Sequence, residues 1–437
     1  MLIPEPGLTL PPRVAERLQA LRTRPIDATE KGFAFLGGST AASIATARPA
    51  LHAAGFNYPL LTLRDSALKA NAAAMAAYCG RAGVDLAPHG KTPMSPELAA
   101  LQLAHGAWAI TVASIGQLRT FRGFGFPRLL LANELVDETG IAWLTAELSD
   151  AAFEAYCYVD SPKTINLLDI TACGITPTHP LPVLIEIGHQ HGRTGCRTDS
   201  EAAAVAKAAA ATGTLRVAGV AGYEGTIGHD ATPETLEQVA AFCRRLRNLA
   251  DVVREYSDGA EPFIVSAGGS TYFDLATSEL TAGDPSGSGL RIVLRSGAYL
   301  THDHGIYSRI SPGARGAAGA PKLTPAIELW AQVLSRPEPG LALLGFGRRD
   351  AGFDAGLPVP LRVVPAGGGP APDPAGWTVS QLMDQHAYLS VGDDAPLTPG
   401  DLICFGISHP CTTLDKWRVI PVVDDDAHVT DVTHAFF

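Results

Sequence analysis

Between residues 84 and 297 the chain repeats one theme: a short run rich in Val, Ile, Leu and Ala, then a polar or Ala-rich stretch long enough for a helix. The runs are "VDLAP", "AITVAS", "RLLLAN", "EAYCYVD", "PVLIEIG", "RVAGVAGYEG", "PFIVSAGG" and "RIVLRSG". Segments such as "SEAAAVAKAAAA" and "TLEQVAAFCRRLRNLADVVREY" lie between them. Strands that follow one another through helices run parallel, because a parallel return needs a crossover of a dozen or more residues. About eight runs over roughly 215 residues predict an α/β fold of the (β/α)8 TIM-type barrel kind. Such a barrel carries its chemistry at the C-terminal ends of its strands, so the residues just past each run become the candidates.

Past about residue 305 the pattern changes to short strand-like runs broken by Pro and Gly, without long Ala-rich helices, which predicts a C-terminal β domain. The expected division is an N-terminal segment over 1–65 that partly packs with the β domain, a barrel over 66–305, and the β domain over 306–437. The segment "AGGGPAPDPAG", 366–376, reads as an exposed loop or a small insertion. Charge bears on partners: 33 Lys and Arg against 44 Asp and Glu leave −11, and no basic cluster offers a phosphate backbone its counterions. The start lacks the basic and apolar regions of a secretory signal, and no apolar run has the roughly 20 residues of a membrane span. The expectation is a cytoplasmic protein with no nucleic-acid or membrane partner. Cys79, Cys157, Cys173, Cys196, Cys243, Cys404 and Cys411 are odd in number and scattered, which is no disulfide framework.

Lys91, in "DLAPHGKTPM", stands just past the first barrel run beside His89. A lysine among apolar walls loses hydration and its pKa falls, so its neutral amine can form a Schiff base with an aldehyde cofactor or take a proton; a salt-bridged lysine at a strand end is the plainer account. "SAGGSTYFD" ends the seventh run with Gly268, Gly269, Ser270 and Thr271, whose amides and hydroxyls suit a phosphate, although a glycine pair also makes an ordinary turn. "LRSGAYL" adds Gly297, Ala298 and Tyr299 from the adjacent loop. "IEIGHQHGRTGC" brings Glu186, His189, His191 and Arg193 to the same face, with Arg193 free to hold an anion or to pair with Glu186. Tyr223 and Glu224 end the sixth run. In "FGISHPCTT", His409 and Cys411 sit two apart, and in an extended segment both would point to one side and could reach a Zn²⁺ held open to water or substrate. A core cysteine near a surface histidine is the alternative, and His386 would read as a satisfied core histidine but for the family resemblance that its motif shares.

Taken in order, "APHGKT", "VASIGQL", "IEIGHQHGRTGC", "AGYEGT", "SAGGSTYFD", "LRSGAY", "DQHAYL" and "SHPCTT" resemble the D-serine dehydratase and D-threonine aldolase group of fold-type III pyridoxal-phosphate enzymes. The resemblance runs from about residue 55 to the end. It implies an alanine-racemase-like barrel joined to a β domain, usually as a homodimer, with pyridoxal phosphate carried by Lys91. It further implies that His89, Arg193 and Tyr223 contact the cofactor, that Gly268, Gly269, Ser270, Thr271, Gly297, Ala298 and Tyr299 form the phosphate cup, and that His409 and Cys411 hold a divalent metal, zinc by preference. The chain departs from the group's usual "RPHAKTH" with Ala87, Gly90 and Pro93, and Gln117 replaces a more usual glutamate. These features, with "GRRDAGFDAGLPVP" over 347–360 and "VVDDD" near the end, resemble an amino-acid deaminase subgroup.

The resemblance implies β-elimination of D-β-hydroxy amino acids to an α-keto acid and ammonia, because cysteine at the second metal position is the dehydratase form and aldolases of the group usually have aspartate there. Aldol-type Cα–Cβ cleavage to glycine and an aldehyde is the alternative. Racemisation would need a second acid or base on the opposite ring face. A non-enzymatic pyridoxal-phosphate homeostasis protein would be a single barrel, without the roughly 130 residues that follow here.

Overall fold

The computed structural model describes residues 9–34, 38–52, 55–172, 179–259, 262–283 and 289–437; Cys173 lies outside the described residues. A short ribbon of β1 (Pro25–Ile26) and β2 (Ser39–Thr40) precedes β3 (Leu60–Arg64). The barrel strands are β4 (Asp85–Leu86), β5 (Ile110–Val112), β6 (Arg128–Glu134), β7 (Glu154–Val159), β8 (Leu181–Ile187), β9 (Leu215–Gly222), β10 (Phe263–Ala267) and β11 (Leu290–Leu294). Each grows from one of the eight apolar runs, and all pair in parallel in the order β4-β11-β10-β9-β8-β7-β6-β5. The remaining gap, between β4 and β5, is spanned by a parallel bridge from His89 to Thr111, with Gly90 N–H donating to Thr111 O at 2.7 Å and Thr111 N–H to Pro88 O at 2.9 Å.

Strand side chains alternate faces, and here the two faces bury into different cores. Leu129, Leu131, Cys157, Val159, Val183 and Ile185 pack outward against the helices, while Leu130, Tyr156, Tyr158 and Leu184 fill the barrel interior with Ala87, Ala109, Ala218, Ala221, Ile264 and Val293. Both faces are apolar for most of each strand, which is why the runs read as continuous rather than alternating.

The second sheet has nine strands: β12 (Ile327–Glu338), β13 (Leu341–Leu344), β14 (Val359–Val364), β15 (Thr378–Leu382), β16 (Ala387–Ser390), β17 (Leu402–Gly406), β18 (Val419–Val423), β19 (Val429–His434) and, from the N-terminal side, β3. β3 lies between β12, antiparallel, and β18, parallel. The segment 366–376 is an exposed loop between β14 and β15. His386 is not a core residue: it is exposed in the turn joining β15 to β16, where the chain reverses and a side chain projects to solvent. No helix among the described residues is long and apolar enough to cross a membrane.

The N-terminal helix Pro12–Arg22 ties to β19 by a buried ion pair, in which Arg22 Nη1 reaches Asp431 Oδ1 at 2.6 Å and Oδ2 at 2.7 Å. Arg22 is 8% exposed and Asp431 1%, so removing the guanidinium takes a close ionic partner from a desolvated carboxylate. Arg22→Ala is expected to cost about 3–5 kcal/mol, read as a fall in the urea midpoint at unchanged slope; a loss below about 0.5 kcal/mol would show that water reaches Asp431.

Candidate active site

At the C-terminal mouth of the barrel a cavity of about 210 Å³ is lined by residues from every strand end: His89, Lys91, Ala113, Ala132, Asn133, Tyr158, Glu186, Arg193, Thr194, Tyr223, Gly269 and Arg295. Ala87 points into the barrel, and His89 and Lys91 follow it at alternate positions. His89 is partly buried, its Nδ1 has no partner, and desolvation, then the charges of Lys91, Arg295 and Arg193, hold it far below the ordinary histidine range. It is a neutral imidazole. Burial likewise lowers the Lys91 amine, with Arg193 and Arg295 adding to the effect and Cys411 opposing it.

Arg193 lies with its guanidinium 4.4 Å over the Tyr223 ring instead of pairing with Glu186, whose Oε2 has no partner. Burial, then the neighbouring Glu224, raises the Tyr223 phenol. His189 turns out of the cavity toward Thr226 Oγ1, 2.7 Å away, and His191 is exposed at φ 61°.

The glycine pair forms the entry to the helix Phe273–Thr281. Gly268 has φ +89°, and a Cβ on Gly269 would sit 2.9 Å from the Tyr223 ring, so the backbone approaches the cavity as only glycine allows. Glu224, fully buried, accepts from Gly268 N–H at 3.1 Å and Gly269 N–H at 2.5 Å. Ser270 and Thr271 follow in the same turn. Gly297 lies against His89, whose carbonyl would be 2.4 Å from a Cβ there, and Ala298 is buried next to it. Tyr299 is turned away: its ring is in the outer core and its hydroxyl bonds Gln102, because its neighbour Ala298 takes the opposite side of the chain.

His409 and Cys411 meet, though not as an extended pair. β17 ends at Gly406, Pro410 is helical at φ −62°, ψ −42°, and Cys411 opens the short helix Cys411–Leu414. The turn brings the imidazole to the thiol. His409 Nδ1–H donates to Asp354 Oδ2 at 2.6 Å, and Thr412 Oγ1–H to Asp354 Oδ1 at 2.6 Å, which fixes the ring and leaves Nε2 toward Cys411. The bond to Cys411, against burial and with help from Asp354, pushes His409 up to about 9. Burial works against the Cys411 thiolate, but His409, Thr92 and Lys91 together hold the thiol below its ordinary range. Thr92 Oγ1 is 3.2 Å from Cys411 Sγ, so the lysine turn and the β-domain loop touch.

Four contributors escape a motif-based reading. Arg295, bonded to Ser266 Oγ at 2.6 Å and to the Gly222 carbonyl, lies just past the end of β11, and Tyr158 lies inside β7; only inward register reveals either. Tyr307 is raised by burial, then by the charges of Cys411, Tyr223 and Asp303. Asp303 is pushed up to about 6 by burial, against three backbone donors. The sequence signal for the last two is the polar run "THDHGIYS" beyond β11.

The donor set suits the groups that the resemblance implies: a desolvated lysine, an exposed glycine turn, unpartnered polar atoms on His89, Tyr158 and Glu186, and a histidine–thiol pair with one imidazole nitrogen already oriented. The lowered Lys91 pKa gives a direct check. Its neutral, nucleophilic form exists at lower pH than that of a free lysine, so acylation of Lys91 in cofactor-free protein, followed by peptide mass spectrometry, is expected to have a pH midpoint below the free-amine value; a midpoint at or above it would contradict the buried setting.

Comparison with known proteins agrees with this architecture. The alanine racemase N-terminal domain matches residues 63–280 and the serine dehydratase domain matches 326–423. The chain is 28% identical to the D-threonine aldolase of Arthrobacter sp over 353 residues, 80% of this chain and 85% of that one. The crystal structure of D-threonine aldolase from Filomicrobium marinum superposes with a TM-score of 0.73 at 25% identity, covering 87% of this chain and 95% of that one. The D-threo-3-hydroxyaspartate dehydratase from Delftia sp. HT23 shares the fold, with a TM-score of 0.69 at 21% identity over 87% of this chain and 97% of that one. The relatives' names are those of a D-threonine aldolase and a D-threo-3-hydroxyaspartate dehydratase, and in its two matched domains, its sequence and its fold the chain is similar to the D-serine dehydratase and D-threonine aldolase group of fold-type III pyridoxal-phosphate enzymes.

Proposed function

We propose that the protein is a D-amino-acid deaminase of the D-serine dehydratase kind, eliminating the β-hydroxyl of D-β-hydroxy amino acids to give an α-keto acid and ammonia. The observation that carries this reading is the Cys411 thiol, paired with His409 and electrostatically coupled to Lys91 across the cavity. In this reading residues 66–305 bind the cofactor, and residues 306–437, with part of 1–65, carry the metal pair; the protein works in the cytoplasm as a homodimer.

Pyridoxal phosphate on Lys91, when bound, supplies the electron sink that acidifies a substrate Cα–H. The chain's residues do the rest. The desolvated Lys91 amine takes the Cα proton, since its lowered pKa favours the neutral, basic form more than in a free lysine. The neutral His89, the buried Tyr158 and the partly buried Tyr223 keep water from the cofactor face. Arg193 would offer its guanidinium to the cofactor's phenolic oxygen, and Ser270 and Thr271 with Gly297 and Ala298 would offer amides to its phosphate, those of Gly268 and Gly269 being taken by Glu224. A zinc ion on His409 and Cys411 would polarise the β-hydroxyl toward departure.

The D-threonine aldolase relatives favour a second reading, Cα–Cβ cleavage. That reaction needs a base at the β-hydroxyl, and Pro93 stands where the resemblance would place a second histidine beside the lysine. One assay separates the two: protein carrying pyridoxal phosphate and Zn²⁺ is given D-serine, D-threonine and D-threo-3-hydroxyaspartate, and keto acid, ammonia and glycine are measured together with a Cys411→Ala control. Keto acid and ammonia, lost in the control, are expected. Glycine with an aldehyde would establish the aldolase instead. Because Asp354 orients His409, Asp354→Asn is expected to weaken zinc binding about 10–100-fold, measured by competition with a chelating dye; unchanged affinity would remove His409 from the metal site.

A further inference from the structure

Inward register has a second result at the mouth. Leu130 and Ala132 on β6 face the barrel interior, as do Tyr156 and Tyr158 on β7 and Leu184 on β8. Continuing each alternate series brings Glu134, Asp160 and Glu186 to the C-terminal rim of three adjacent strands. Their carboxylates gather, with one oxygen from each lying within 4.8 Å of the other two. None of the three joins the histidine–cysteine pair, and the elimination chemistry above uses none of them.

Among the described residues no cation pairs with the cluster, whose Asp160 carboxylate accepts only the Gly195 N–H, at 3.1 Å. Both Glu134 oxygens and Glu186 Oε2 are buried without a hydrogen bond, and Glu186 is 6% exposed. Arg295 is bonded to Ser266 and Gly222, and Arg193 lies over the Tyr223 ring without an ion pair to any of the three carboxylates. Tyr158, 2% exposed, lines the cavity beside Glu186 with its hydroxyl unpartnered, and burial, then the charges of Arg295, Glu186 and Glu134, act on it. Burial, then contact with Glu186, pushes Glu134 up to about 9. A proton retained there relieves part of the repulsion, yet the Tyr158 hydroxyl and the second Glu134 oxygen still go unmatched.

We propose that Glu134, Asp160 and Glu186 form a binding site for a hard divalent cation, distinct from the His409–Cys411 pair. Three oxygens no more than 4.8 Å apart leave a common centre within about 2.8 Å of each, so a small inward movement reaches the 2.3–2.6 Å of Ca²⁺–oxygen bonds or the shorter bonds of Mg²⁺. An all-oxygen anionic set selects Ca²⁺, Mg²⁺ or Mn²⁺, whereas imidazole and thiolate select zinc. An ion asks less of the cavity, about 210 Å³ and shared with the cofactor at Lys91, than an organic cation would. The site does not depend on which lyase reaction the enzyme performs. Tyr158 Oη can bind the ion directly or donate to one of its waters.

The test uses Mn²⁺ as the probe. Holoenzyme with pyridoxal phosphate bound is stripped of metal with a chelator and titrated with Mn²⁺, the free ion being counted by electron paramagnetic resonance. Two classes of site are expected in the wild type. Cys411→Ala keeps the oxygen class, and excess Ca²⁺ displaces Mn²⁺ from it. Glu134→Gln and Glu186→Gln, which preserve shape, are expected to weaken that class about tenfold or more. Binding at pH 8 is expected to release about one proton per ion from the Glu134–Glu186 pair. A single Mn²⁺ equivalent abolished by Cys411→Ala, or an oxygen class indifferent to both glutamine variants, would overturn the proposal. Should a glutamine variant not fold, Ca²⁺ competition on Cys411→Ala decides: no displaceable Mn²⁺ overturns it.

Discussion

The alternate register of parallel strands is the constraint on which the rest of the molecule depends. In a closed barrel each strand has one face toward the helices and one toward the interior, and the interior narrows the choice to residues that fill it. Alanines at 87, 109, 218 and 221 leave space that Tyr156 and Tyr158 occupy. Because the series cannot slip by one residue without exposing its apolar set, the last inward position of each strand is predetermined as a lining position of the mouth. Lys91, Glu186 and Tyr158 owe their meeting to that rule, although 67 residues or more separate Lys91 from the other two.

The β domain turns this mouth into a mixed site. β3 leaves the nine-stranded sheet to start the barrel, the Thr92–Cys411 contact joins the lysine turn to the loop after β17, and Asp303 and Tyr307 bridge the exit of the barrel to the same loop. Packing there is close: a Cβ on Gly305 would lie 2.5 Å from Ser408, and one on Gly406 2.4 Å from His304. A thiol kept below its ordinary pKa, a histidine above it and a lysine below it are therefore held by one set of contacts rather than three separate devices. The carboxylates at 134, 160 and 186 face this group from the other side of the mouth, which makes the local charge balance the quantity that cofactor, metal and substrate must satisfy together.

Much of this was legible in the chain. All eight barrel strands appear as apolar runs because parallel strands bury both faces, and the β domain announces itself through Pro and Gly punctuation. Lys91, Arg193, Tyr223 and Gly269 stand at strand ends, and they do converge on the cavity. The failures share a cause. His386 invited a core reading because pattern alone does not say which turn projects outward; Tyr299 was placed with its glycine neighbour because a motif does not say which way a ring points; Arg295 and Tyr158 were passed over because a polar residue inside an apolar strand, or just past its end, carries no local mark of facing a cavity.

The sequence by itself determined the order and parallel pairing of the barrel, since strand length, helix length and the period of hydrophobicity are local properties of the chain. It also determined which residue types reach the strand ends. Only the tertiary structure decided that His409 and Cys411 meet through a helical turn and not along a strand, that Asp354 orients that histidine, and that Glu134, Asp160 and Glu186 crowd together with no cation paired to them among the described residues. Those relations depend on barrel curvature and on the docking of the second sheet. Both are set by the summed packing of distant side chains, which no stretch of the chain contains.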